Sequence, residues 1–235
     1  MKMITRFLPV LLLFIAACNH DCLEEDGNRI NKDISLPDFN SLKLVGPLDV
    51  NLIQDSTHKI KITAGEQVMG HVKTEVSGRR LTVRLNRELC GAGRVAVYIG
   101  VSDITGIEVN GSVHLNNEGT LQLKDLALDY SGHVSSALRL NAANVKTKLE
   151  GRGTLSFMGQ AGSHDIRMQG SAELLAYDFT VGRYKIESDG VAKSNINVLN
   201  ELKVNTSGSS EIYYKGSPGK VDEKKSGTAK LERVL

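Results

Sequence analysis

The sequence predicts an all-β chain that winds as a single-stranded parallel β-helix, a solenoid of about 19 residues per coil, with a less regular β cap at its N-terminal end. Three observations predict it. A turn of small residues recurs along the second half: NGSVHL around Gly111, SGHVSSAL around Gly132, GRGTLSF around Gly153 and QGSAEL around Gly170, then DGVAKSNI around Gly190, SGSSEI around Gly208 and SGTAKL around Gly227. Each copy is followed by alternating apolar positions, the signature of a strand with one buried face. After the N-terminal segment, no long stretch carries a helical period. A short, nearly fixed period marks a stack in which each repeat covers the open face of the next.

The N-terminus comes first in chain order. Lys2 and Arg6 precede an apolar run, Phe7 to Ala17, that is shorter than the roughly 20 residues a membrane-crossing helix needs. It reads as a signal peptide over residues 1–17, ending in Ile15-Ala16-Ala17-Cys18, which looks like a bacterial lipobox. Cys18 is therefore the expected lipid attachment site, and acyl chains there would anchor the chain to a membrane without a spanning helix. Removing the leader takes Lys2 and Arg6 from the 29 Lys and Arg and nothing from the 27 Asp and Glu. The charges then balance, and no net field favours nucleic acid.

Residues 18–32 are polar and acidic and read as a tether. Asp21, Glu24, Glu25 and Asp26 resemble in charge the surface-export signal of some Gram-negative lipoproteins; a plain solvated linker fits them equally. The remaining cysteines, Cys22 and Cys90, make a candidate disulfide in an oxidising compartment.

Residues 33–105 form the N-terminal β region and first coils. Leu42, Leu44, Leu48, Val50 and Leu52 alternate around Gly46-Pro47. Residues 72–76 and 81–85 flank Ser77-Gly78-Arg79 as a hairpin, and residues 66–72 hold at most one helical turn. Residues 106–235 carry the regular coils, with residues 33–235 forming one continuous domain. At Gly111, Gly153, Gly170, Gly208 and Gly227 the residue two places on and the large apolar one at four places, such as Leu115, Leu174 or Leu231, point inward together. An antiparallel sandwich of short strands and glycine turns is the rival architecture.

These residues resemble a known family. LPDFNSLKLVGPLDVNLIQDSTHKIKITA, the hairpin VKTEVSGRRLTVRL, the serial SG or GS corners and the ending SGSSEIYYKGSPGKVDEKKSGTAKL are similar to the putative auto-transporter adhesin, head GIN domain family, over nearly the whole mature chain. The family often has Gly-Ser-Gly at each corner, of which this chain keeps only parts. The resemblance implies a right-handed parallel β-helix on the bacterial cell envelope and brings no catalytic residues.

Residues that could carry chemistry are scattered. His20, His58, His71, His114, His133 and His164 have no ligand-like spacing, so no metal or other cofactor is expected. Carboxylates at Asp125, Asp129, Glu150, Asp165, Glu173, Asp178, Glu187 and Asp189 do not recur at one offset from the corners, as a lyase or hydrolase face would require. Trp is absent, and the adjacent pair Tyr213-Tyr214 places one ring outward as a candidate exposed contact. Asp55-Ser56-Thr57 is similar to a short O-glycosylation site.

The reading is a non-enzymatic, lipid-anchored module of the outer membrane of a Gram-negative bacterium, on its periplasmic or surface side. It would serve as an adhesin or scaffold whose partner is the membrane through its lipid and an envelope protein, a glycan or a second copy of the chain. A carbohydrate-active β-helix enzyme is the alternative.

Overall fold

The computed structural model describes residues 22–25 and 27–235, so the leader, Cys18, His20, Asp21 and Asp26 lie outside the described residues. The strands are β1 (Arg29–Ser35), β2 (Ser41–Val45), β3 (Leu48–Gln54), β4 (Lys59–Gly65), β5 (Val72–Ser77), β6 (Arg80–Leu85), β7 (Val95–Val101), β8 (Gly106–Glu118), β9 (Leu121–Lys215), β10 (Lys220–Lys225) and β11 (Thr228–Arg233). A single short helix, α1 (Glu66–Met69), interrupts them among the described residues. The chain is all-β, and its strands share one eleven-stranded sheet that curls into an open half-barrel.

Two kinds of pairing divide the sheet. In the N-terminal part β1 pairs β4, β4 pairs β7 and β5 pairs β6, all antiparallel. The β5–β6 turn has Gly78 and Arg79 at φ +55° and +59°, as a two-residue hairpin turn requires. Every other pair between these strands is parallel, including β8, β10 and β11 against β9, unlike a sandwich of antiparallel meanders.

The segment 41–54 is itself a strand–corner–strand unit. Leu42 and Leu44 before Gly46, and Leu48, Val50 and Leu52 after it, are all buried. β8 stacks on both arms, pairing Leu42 with Ile107, Leu44 with Val109, and Val50 with Leu115. On the other side β6 lies against β2 and β7 against β3. The unit thus sits between 80–101 and 106–118, out of chain order. From β8 onward the order is sequential, with Gly111 over Gly132 and Val113 over Val134 in register.

The corners stack in a column. Gly151 has φ +121°, and a Cβ there would lie 2.5 Å from the carbonyl oxygen of Gly132, one repeat earlier. Gly111, Gly132, Gly170, Gly190, Gly208 and Gly227 also have positive φ, whereas Gly153 does not. The third corner is therefore Gly151 rather than Gly153, and the uneven steps from Gly132 to Gly153 and on to Gly170 become two equal ones through Gly151. The two glycines of GRG are two apart, so the period-two pattern accepts either. Gly153 instead takes the inward position that Val134 and Ala172 fill in neighbouring repeats.

The N-terminal boundary also differs from expectation. The sequence places residues 18–32 in a tether, yet β1 begins at Arg29. Its apolar residues Ile30 and Ile34 pack on the core, opposite Ala64 and Ile60 of β4. They stand four apart among charged neighbours, so the strand leaves little alternation to see. Further upstream, Leu23 bridges to Leu89 and Cys22 is disulfide-bonded to Cys90.

Inward positions from successive repeats form one continuous core. It is not wholly apolar. His164, 1 % exposed, lies between the Thr147 hydroxyl at 2.9 Å from Nε2 and the Tyr184 hydroxyl at 2.8 Å from Nδ1. Phe157 and Phe179 meet its ring edge-on at 5.2 and 5.8 Å. Tyr130 and Ser136 share a hydrogen bond of 3.1 Å, and Ser188 and Ser210 one of 2.8 Å. Each pair satisfies groups that would be costly to bury alone.

Candidate functional site

Alternation that sends apolar residues inward sends the other half of each strand outward, so the repeats display three surfaces: a flank before the glycine corners, a flank after them, and the turns on the opposite side. On the preceding flank, charged residues pair both along one strand and between neighbouring repeats. Lys185 contacts Glu187 at 2.7 Å and Asp165 at 3.7 Å, Lys148 contacts Glu150 at 2.8 Å, and Lys220 contacts Glu201 at 2.8 Å. The hydrogen bond from Lys185 lowers the pKa of Glu187 and raises that of Lys185. Asn144 donates to Asp125 and Ser163 to Asn144, both at 2.7 Å, and Ser207 donates to Asp189 at 3.0 Å.

Five of the eight acids considered above, Asp125, Glu150, Asp165, Glu187 and Asp189, are thus engaged along the stack rather than converged on a point. Asp129 and Asp178 are exposed and Glu173 half-buried on separate strand positions. Among the described residues, no group of three or more His, Cys, Asp or Glu is placed to hold a metal ion. His164 is spent on Thr147 and Tyr184, and burial pushes its pKa down to about 3, leaving the ring neutral.

The following flank carries the aromatics. Tyr213 faces out and Tyr214 packs on the core edge. The Tyr213 hydroxyl donates to Glu211 at 3.2 Å, and Lys230 sits 5.0 Å from its ring centroid. Tyr177 is covered likewise by Lys215 at 4.8 Å. Ammonium groups occupy these ring faces, so neither ring is an open stacking platform. Tyr130 and Tyr184 are buried.

The third surface went unrecognised in the sequence. Turns at 122–124, 141–142 and 160–162, with Thr180, Gly182 and Leu199, line a groove of about 680 Å³. Its members recur one repeat apart, at the same place in successive repeats. Asn141 Nδ2 donates to Gln122 Oε1 at 3.2 Å. The Gln122 backbone is held by Gln54, which accepts from its N–H at 2.8 Å and donates to its carbonyl at 3.1 Å. The available signal was the second small-residue turn, Asn141-Ala142-Ala143 or Gly159-Gln160-Ala161-Gly162, one half-repeat from each corner.

The family model described as putative auto-transporter adhesin, head GIN domain, matches residues 38–218. A crystal structure of a putative adhesin from Bacteroides fragilis is similar with a TM-score of 0.84 at 16% identity, covering 90% of this chain and 100% of that one. Putative adhesins from Parabacteroides distasonis and Parabacteroides merdae are similar with TM-scores of 0.67 and 0.65 at 23% and 24% identity, covering 91% and 92% of this chain and 100% of each. No curated protein matches the chain. At these identities the structural likeness speaks for the fold.

Proposed function

This chain belongs to the putative auto-transporter adhesin, head GIN domain family, and from that membership we propose that it is a non-enzymatic binding module of the bacterial envelope, held by a lipid on Cys18 at the outer membrane and turned toward the cell surface. The observation that carries the reading is the outer surface of the repeats. Polar and charged side chains are repeated along a stiff stack and engaged with one another, with acids dispersed among bases. Such a surface makes many weak contacts at a regular spacing, which favours attachment by avidity over turnover of one bond. The parallel register and stacked corner glycines support winding as a right-handed β-helix whose coils carry these rows.

The anchor rests on the Ile15-Ala16-Ala17-Cys18 motif. Among the described residues no helix is long and apolar enough to cross a membrane. Labelled palmitate should enter the full chain and be lost in Cys18→Ala. Protease treatment of intact cells should degrade the chain while a periplasmic marker survives. Full protection of the chain would overturn surface display.

A further inference from the structure

The groove on the turn side differs in chemistry from both flanks. Lys124 is the one charged residue lining it. By contrast, a depression on the preceding flank is lined by Asp125, Asp165 and Glu201 together with four basic residues, and one on the following flank by Arg152, Glu173, Lys193 and Glu211. A charged ligand finds no counter-ion along most of the groove. An uncharged one has no charge to desolvate on entering.

Its walls and floor define what would fit. Gln122, Asn141 and Gln160 present carboxamides at equivalent places on three successive turns. Each amide can both donate and accept. Gln160 is exposed and its side chain has no hydrogen-bond partner among the described residues. The aliphatic lining is half-buried Leu123 and Ala142, buried Ala161, and Leu199, which is 51% exposed. Two-way hydrogen bonding beside an aliphatic strip complements a ring that carries hydroxyls on its rim and C–H groups on its face.

The spacing selects further. Stacked strands lie ~4.8 Å apart, so the amides recur at that interval along the stack. An extended peptide repeats its same-side groups every two residues, about 6.7 Å, and drifts out of step. A linear glycan advances by roughly one such step per pyranose ring. We propose that this groove binds an uncharged polysaccharide, lying along the stack with one sugar ring per turn.

The proposal rests on the surface-binding reading, and its test is separate from that reading's. The full chain, solubilised in detergent, is run through native gels containing dextran, mannan, xylan or polygalacturonate. At least one neutral polymer should retard it and polygalacturonate should not. Leu199→Asp and Gln160→Glu, both at exposed positions, should weaken the neutral-polymer interaction at least tenfold with the melting temperature unchanged. Glu173→Gln on the other flank should leave it intact. No retardation by any neutral polymer, equal retardation by polygalacturonate, or indifference to the groove variants would each overturn the proposal. A chain that is protease-accessible on cells yet unretarded sinks the groove alone. A chain that is shielded on cells yet retarded by dextran sinks the surface reading alone.

Discussion

His164 ties the interior to pH. Burial lowers its pKa to about 3, against an ordinary value of 6.5. Between those values the unfolded chain binds a proton that the folded chain refuses. The stability conferred by a neutral ring is therefore complete above about pH 6.5 and declines as pH falls toward 3. At pH 5 the loss is about 2 kcal/mol, from ~1.4 kcal/mol per pH unit. Urea titrations should show this slope in the native protein and a flatter one in His164→Leu. That variant should also lose about 2–4 kcal/mol at pH 8, because the Thr147 and Tyr184 hydroxyls are left without their partner. None of this was legible in the sequence, where His164 carried no spacing to any ligand. Its place ahead of the next corner is occupied by Val145 and Tyr184 in neighbouring repeats, both inward, and only the corrected register reveals that.

The strand–corner–strand element rests on glycine for a reason that separates two neighbours. Gly151→Ala combines a positive φ with a Cβ 2.5 Å from a backbone oxygen, neither of which can be relieved without shifting the adjacent repeat. A cost of about 2–5 kcal/mol is expected. Gly153→Ala has an ordinary φ and meets the Val134 carbonyl oxygen at 3.0 Å and the flexible Leu149 side chain at 3.2 Å. It should cost less, and thermal melts of the two variants would show the order; the reverse order would return the corner to Gly153. Alternation made Leu42–Leu52, the 72–85 hairpin and the later strands readable from residues alone. What hid the rest was non-local. Gly46 belongs to the same corner column as Gly111, but β3 through β7 lie between them in the chain. The amide row of the groove is likewise visible only when repeats are laid in register, since each member alone resembles an ordinary turn residue.

At the scale of the whole molecule, the C-terminal end has a chemical stop. The register sets Val221 beside Leu202, Glu223 beside Val204 and Lys225 beside Thr206. Two positions that are apolar or buried one repeat earlier thus hold an ion pair, Glu223 with Lys225. The outer edge of such a strand offers unpaired N–H and C=O groups to any similar edge, and charge in the inward column discourages that pairing. Replacing both by valine should produce end-joined species larger than the native protein, detectable by light scattering. If the double variant scatters like the native protein at the same high concentration, the charges are not what closes this end. The charged ending was evident from the sequence, but not its placement in the core column.

The interleaving of 41–54 between 80–101 and 106–118 constrains how the molecule can be assembled in time. A chain emerging from its N-terminus cannot lay down finished layers one after another, because the founding layer is sandwiched only once residue 118 has been delivered. Everything after that point can be added vectorially, each layer templated by its predecessor. The register therefore lets repeats be gained or lost in the sequential second half while the interleaved first half is left untouched.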